Sequence, residues 1–466
     1  MKRQLTAFII VIILVLFPLV PSGIAYADIG DTSWPEGPSV FADSAIVMEA
    51  STGLILYEKN IDKVHYPASI TKILTALVVL ENSSLGDIVT FSKDAVFKVD
   101  LDSSRIGIDV GEKLTIQQCL YGMLLESANE VSYALAEHVG GTVENFATMM
   151  NEKAKSLGCK DSNFVNPHGL PNKEHVTSAY DMALITRAAM KNDTFAKIFG
   201  TRNYQIPPTN IQSETRYLRN HHRFITKESY SFDGCLGGKT GYTSEAKYTL
   251  VTVAKRGDLE LICVIMKDDT FDHQYTDTQR LLNFGFDNFS IYPISDSKTS
   301  QTIHESPMFT MFNPLLSKSA SPIETDEKGY LVLPNTASFN DAQKDVSFFP
   351  STKIKEGDNI IGSISYTYDG KYVGGADIIY NNVQKTTLTN TEPVVNPPAS
   401  TPDQNAAVKE KDSLRPVIIG VIIGIFILIT ILYFILVERP RLKRKSAYYR
   451  KRATRKMYKD DDYLDL

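Results

Sequence analysis

The apolar positions of this chain fall into short runs with two different periods. From Ser44 the sequence SAIVMEASTGLILYEKN sets two strand-like runs on either side of Ser51-Thr52-Gly53 and predicts a hairpin. Ile73, Leu74, Ala76, Leu77, Val78 and Leu80 then predict a buried helix from about Ser69. Residues 115–138 predict helix in two pieces broken at Ser127-Ala128-Asn129, and Val143 to Leu157 a further helix with Phe146, Met149, Met150 and Leu157 on one face. Strand patterning returns in YTLVTVAKRGDLELICVIM, which folds back at Arg256-Gly257-Asp258. Strands at both ends with helices between predict an α/β domain over 28–295, one sheet under a helical layer.

After about residue 300 helical periodicity stops. YLVLP, NIIGSISYTYDGKYVGGADIIY and the Asp369-Gly370 turn predict a small all-β domain over 300–384. Residues 385–416, rich in Thr, Asn, Pro, Asp and Lys, read as a linker.

The two ends carry apolar segments of different kinds. Lys2 and Arg3 precede an apolar run from Ala7 to Val20 and the small-x-small triplet Ala25-Tyr26-Ala27, so residues 1–27 read as a secretory signal. Val417 to Val437 holds no charge and is long enough to span a bilayer as one transmembrane helix. The basic tail at 438–466, beginning Glu438-Arg439-Pro440-Arg441-Leu442-Lys443-Arg444-Lys445, puts the C-terminus in the cytoplasm and the rest outside the cell membrane. Such a cluster beside a span is a topology signal, so no nucleic acid is expected.

Composition changes this picture little. With 43% hydrophobic and 22% charged residues and a net charge of −5, the chain is of ordinary globular make-up. Its four cysteines, Cys119, Cys159, Cys235 and Cys263, are far apart and form no CxxC pair; two disulfides and buried free thiols both remain open. The eight histidines form no HExxH motif, so neither a metal nor another cofactor is expected. His168 reads as a loop residue, and His221-His222 as surface.

The chemistry gathers at Ser69 and Lys72. Three residues apart on a helix, they share a face, and a buried lysine with a depressed pKa can take the serine proton. The helix start, with Pro67 just ahead, offers free N–H groups to developing negative charge. Alone, S-x-x-K arises roughly twice by chance in a chain this long; Ser244/Lys247 and Ser295/Lys298 repeat it here. Discrimination comes from two further triplets in the order known for penicillin-binding enzymes, Ser127-Ala128-Asn129 and Lys239-Thr240-Gly241.

With these triplets, and with YPASITKILTAL, LLESANEVSYALAEHVGG, NPHGL, TSAYDMALITRA and GGKTGYTSEAKYTLV, the chain resembles the serine-type D-alanyl-D-alanine carboxypeptidases, or low-molecular-mass penicillin-binding proteins, over residues 40–290. The resemblance implies a transpeptidase/β-lactamase-like fold that removes the terminal D-alanine from peptidoglycan stem peptides and is acylated by β-lactams. It implies Ser69 as nucleophile, Lys72 as its base and Ser127 as proton relay to the leaving D-alanine. Asn129 would hold the substrate carbonyl, Lys239 supply positive potential and Thr240 bind the terminal carboxylate. Gly241 would allow close approach, and the N–H groups of Ser69 and Tyr242 would form the oxyanion hole. Tyr242 stands where relatives often have histidine, and RNHHRF leaves Arg219, His221 and Arg223 open as carboxylate contacts. Two other readings compete: a β-lactam hydrolase, for which no stretch supplies the additional base, and a silent cell-wall-binding scaffold.

Overall fold

The computed structural model describes residues 34–100, 102–226, 230–294, 323–349 and 354–382. The secretory signal, the linker, the apolar segment 417–437 and the basic tail lie outside these residues. No helix among the described residues is long and apolar enough to cross a membrane.

The hairpin expected after Ser44 forms as β1 (Ser44–Glu49) and β2 (Ile55–Lys59). The last three strands of the sheet, β3 (Cys235–Thr243), β4 (Lys247–Arg256) and β5 (Leu259–Asp268), come from much later in the chain. They pair antiparallel in the order β2-β1-β5-β4-β3, which leaves β3 as an edge. Side chains alternate across a strand, and here both faces are dry. Ile46, Met48, Val251, Val253, Ile262 and Val264 enter one core; Ala45, Val47, Leu250, Leu261, Cys263 and Ile265 enter the other.

The first core is roofed by α1 (Lys72–Asn82), α2 (Ile116–Leu125), α3 (Asn129–Gly140), α4 (Val143–Ser156) and α5 (Ala179–Met190). Helix α1 is apolar nearly all round because it runs through the middle of this layer, with Lys72 to Val79 all buried. The second core lies under α6 (Phe271–Asn288) and continues into a six-stranded antiparallel sheet. The sequence pattern predicts one helical layer; the structure has cover on both faces, which explains why strands β4 and β5 are apolar without alternation.

The second sheet is all-β, as expected, but takes its first strand, Phe289–Pro293, from the end of the 28–295 stretch. That strand pairs with Tyr330–Pro334, so α6 is bonded through its C-terminal end directly to the β domain. All four cysteines are free thiols.

Candidate active site

The chain enters α1 through Pro67 and a turn of 3-10 helix, Ala68–Thr71, with Ala68 in the left-handed region at φ +51°. Residues three apart in a 3-10 turn stand one above the other, so Ser69 lies over Lys72 more closely than in an α-helix. Carbonyls around this entry are held by threonine hydroxyls: Thr249 Oγ1 donates to Pro67 O (3.0 Å), Thr71 Oγ1 to Ala68 O (2.9 Å) and Thr75 Oγ1 to Pro167 O (2.7 Å). His175 Nδ1 accepts from Val165 N–H, so its Nε2–H donates to Thr71 Oγ1 at 2.9 Å.

Lys72 is fully buried, and its Nζ donates to Ser69 Oγ (2.9 Å), Asn129 Oδ1 (2.6 Å) and His168 O (2.5 Å). Two of these partners are carbonyl oxygens, which only accept. When Lys72 is neutral, its two N–H bonds stay with them and its lone pair faces the Ser69 hydroxyl. Burial first, then the nearby Lys239 cation, push the Lys72 pKa well below that of an ordinary lysine, against the pull of Glu130. With Asn129 Oδ1 committed to a donor, the amide orientation is fixed and Nδ2 is left to donate.

Ser127 sits in the turn between α2 and α3 at φ +60°, a conformation that costs a non-glycine residue about 1–3 kcal/mol. Lys239 Nζ, also buried, donates to Ser127 Oγ (3.1 Å) and Thr240 O (2.8 Å). Burial lowers the Lys239 pKa to about 7, while Glu126 acts in the opposite direction.

The NPHGL loop closes the site from below. Asn166 Oδ1 accepts from the N–H groups of His168 and Gly169, and Asn166 Nδ2 donates to Leu170 O. Gly169, at φ +88°, lies so near the nucleophile's turn that a Cβ there would meet Ala68 O at 1.8 Å. From the strand side, a Cβ on Gly241 would meet Thr249 Oγ1 at 2.3 Å and Ser69 N at 2.9 Å. Only glycine lets the edge strand β3 come this close to the Ser69 amide.

A cavity of about 630 Å³ opens on these groups. Ser69, Ser127, Asn129, Thr240, Gly241 and Tyr242 line it, while Lys72 and Lys239 lie behind the wall. Arg219, His221 and Arg223 all line it as well. His221 Nε2 pairs with Glu126 Oε2 at 2.9 Å, and Arg223 lies over Phe271, 5.5 Å from the ring centre. Tyr242, half exposed, packs on Tyr248 with ring centres 4.6 Å apart and walls one side.

One histidine expectation needs correction. His222 is fully buried, not at the surface, with Nε2 bonded to Thr252 Oγ1 (2.8 Å) behind Gly238; His221 belongs to the cavity rim. The ring of His168 stays in its loop, where Nδ1 accepts from Leu170 N–H, but its carbonyl reaches Lys72. That contact carried no sequence signal beyond the loop motif itself, because a main-chain oxygen is common to all residues. Of the repeated S-x-x-K pairs, Ser244 is in an exposed turn bonded to Glu245, and Ser295/Lys298 lies outside the described residues. Burial raises the Cys235 thiol to about 12, out of range for a thiolate nucleophile at neutral pH. Among the described residues no three His, Cys, Asp or Glu side chains converge as a metal site.

A serine over a lysine whose pKa burial depresses, at a helix entry facing an open sheet edge, is the equipment of a serine acyl-transfer enzyme. Residues 31–270 match the family model described as D-alanyl-D-alanine carboxypeptidase. D-alanyl-D-alanine carboxypeptidase DacF of Bacillus subtilis is 35% identical over 305 residues, 65% of this chain and 75% of that protein. DacA of Escherichia coli K12 is 27% identical over 363 residues, 73% of this chain and 83% of its own length. The crystal structure of the Streptomyces K15 DD-transpeptidase is 32% identical with a TM-score of 0.51, covering 54% of this chain and 100% of that one. Penicillin binding protein 5 from Haemophilus influenzae, at 24% identity and a TM-score of 0.58 over 75% of this chain and 99% of that one, shares the fold. The chain belongs to the D-alanyl-D-alanine carboxypeptidase family.

Proposed function

We propose that the family reaction runs here through an acyl-enzyme on Ser69. The protein is a serine-type D-alanyl-D-alanine carboxypeptidase of cell-wall maturation, acting on peptidoglycan stem peptides and acylated by β-lactams. The observation that carries the residue assignment is the partner set of Lys72, two carbonyl oxygens and one hydroxyl. Ser69 Oγ attacks the carbonyl of the penultimate D-alanine as its proton passes to the Lys72 lone pair. The oxyanion is met by the N–H groups of Ser69 and Tyr242, donors of a kind worth about 3–4 kcal/mol each in the transition state. Ser127 relays the proton that Lys72 took from Ser69 to the D-alanine nitrogen as the C–N bond breaks, which leaves Lys72 neutral. Water then cleaves the ester, one of its protons returning to Ser69 Oγ and its hydroxyl completing the new carboxyl group.

Asn129 Nδ2 donates to the substrate carbonyl, Lys239 supplies positive potential, and Thr240 takes the terminal carboxylate. Arg219 and Arg223 assist Thr240 at the rim, since His221 is engaged with Glu126. The test is the full chain in detergent with a peptide ending in Lys-D-Ala-D-Ala. Free D-alanine is expected from the native protein and none from Ser69→Ala, and fluorescent penicillin should label the native protein and Ser244→Ala but not Ser69→Ala. Covalent labelling of Ser69→Ala overturns the nucleophile assignment.

We further propose that residues 417–437 anchor the protein in the cell membrane after export directed by residues 1–27, with the C-terminus inside. The support is the charge-free apolar run and the basic residues after it. Protease added to wall-stripped cells should remove the catalytic domain and spare an epitope placed after Leu466; the reverse pattern refutes the topology.

A further inference from the structure

Glu126 ends α2 one residue before Ser127, and its carboxylate is fully engaged across the cavity rim. Oε1 accepts from the Arg219 N–H at 2.6 Å and Oε2 from His221 Nε2 at 2.9 Å, while the His221 N–H donates to Leu125 O at 3.3 Å. Three hydrogen bonds thus join the end of α2 to the 219–221 segment, immediately beside the left-handed Ser127. A residue in that strained conformation holds only when its surroundings over-determine it. Ser127 Oγ in turn accepts from Lys239, whose bonded partners Ser127 Oγ and Thr240 O carry no charge.

The charged groups around Glu126 can be named element by element. The 219–221 segment brings Arg219 and His221, and β3 brings Lys239. Arg223 faces the same cavity. The other carboxylate of this turn, Glu130, is turned away to the Ile106 N–H (2.8 Å).

We propose that Glu126 is a positioning residue of this reaction: clamped by the Arg219 amide and His221, its carboxylate holds the Ser127 turn in place and supplies the countercharge that keeps Lys239 an ammonium. This inference rests on the assignment of Ser69, Ser127 and Lys239 made above. Burial favours loss of the Lys239 proton, and Glu126 opposes it, so the positive potential at the site depends on a side chain that touches no substrate. The carboxylate itself stays ionised: burial would raise its pKa, but the His221 and Arg219 hydrogen bonds and the Lys239 charge bring it below the usual value.

The experiment measures second-order acylation by fluorescent penicillin against pH in the full-length protein, with Ser69→Ala alongside. Glu126→Gln keeps the size, an acceptor for the Arg219 amide and, through its amide N–H and the other His221 tautomer, the bond to His221, but removes the charge. Its rate is expected near that of the native protein at pH 6 and lower by about fivefold or more at pH 8, with the alkaline limb moved to lower pH. Glu126→Asp, which keeps the charge, is expected to hold the limb where it is. An equal loss at every pH, or no change in Glu126→Gln, overturns the countercharge. His221→Ala tests the clamp at an exposed position, with a thermal melt to confirm folding: a drop of about threefold or more across the pH range supports it, and unchanged acylation overturns it. Labelling of Ser69→Ala would instead mean that the underlying site assignment has failed.

Discussion

Lys72 and Lys239 are two fully buried lysines, the first bonded to Ser69 and the second to Ser127, and the charge on the second lowers the pKa of the first. In the proposed mechanism the pair divides the work: the lysine bonded to Ser69 has to be neutral to accept a proton, and the one bonded to Ser127 has to be charged to supply potential.

This division predicts a bell-shaped dependence of acylation on pH. Lys72 becomes an effective base as pH rises through its depressed pKa, and the Lys239 charge is lost as pH rises past about 7. The rate constant kcat/KM for peptide, or the second-order rate with penicillin, should therefore fall on the alkaline side at a pH far below that of a free lysine. A flat profile from pH 6 to 9.5 would sink the assignment of Lys239.

Replacing Lys72 should stop acylation without unfolding the protein. Lys72→Ala is expected to reduce acylation by about 100- to 10,000-fold, the range for loss of a general base. Because Ser69 and Lys72 act as a unit, the double variant Ser69→Ala/Lys72→Ala should be no slower than Ser69→Ala alone. Stopped-flow or gel-based labelling with thermal melts separates this from misfolding.

Gly241→Ala sets a methyl group against Thr249 Oγ1 and the Ser69 amide. The expected results are a stability loss of about 1–3 kcal/mol by denaturant titration and a strong loss of acylation, as the edge strand is forced off the nucleophile. Gly169→Ala adds strain at φ +88° to its collision with Ala68 O and should be the more destabilising of the two.

Away from the site, Glu112 is buried and paired with Arg216 through both oxygens, at 2.6 and 2.9 Å. Burial would raise its pKa, but Arg216, the Asp109 amide and Thr209 hold it below the usual carboxylate value. A lowered folded-state pKa adds stability at neutral pH that is lost as pH falls from about 4.3 through the folded value. Arg216→Met should cost about 3–5 kcal/mol near pH 7 by leaving a buried charge unpaired, and less near pH 3; equal loss at both would refute the pairing.

Much of this was legible along the chain. The Ser44–Lys59 hairpin and the break at Ser127-Ala128-Asn129 are local matters of turn residues and periodicity, and both stand where the pattern puts them. The three triplets could be read because the chemistry proposed for them belongs to particular residue types at fixed spacing. The second cover over the sheet was not readable, since an unbroken apolar strand announces burial on two faces without saying what lies there. Nor was the recruitment of Phe289–Pro293 into the β domain, where α6 gives way to strand at the cap residue Phe289.

By itself the sequence singled out the residues to which the chemistry is assigned in the proposed mechanism: Ser69 and Lys72 at helical spacing, then Ser127, Asn129, Lys239, Thr240 and Gly241 in order. Only the tertiary structure decided how they are tuned. The His168 carbonyl that turns Lys72 toward Ser69 is a main-chain atom with no residue signature, and Glu126 gains meaning only from the distant segment that clamps it. Charge and hydrogen bonding act over a few ångströms of space, and the residues that share that space here, from Ser69 to Gly241, are separated by more than a third of the chain.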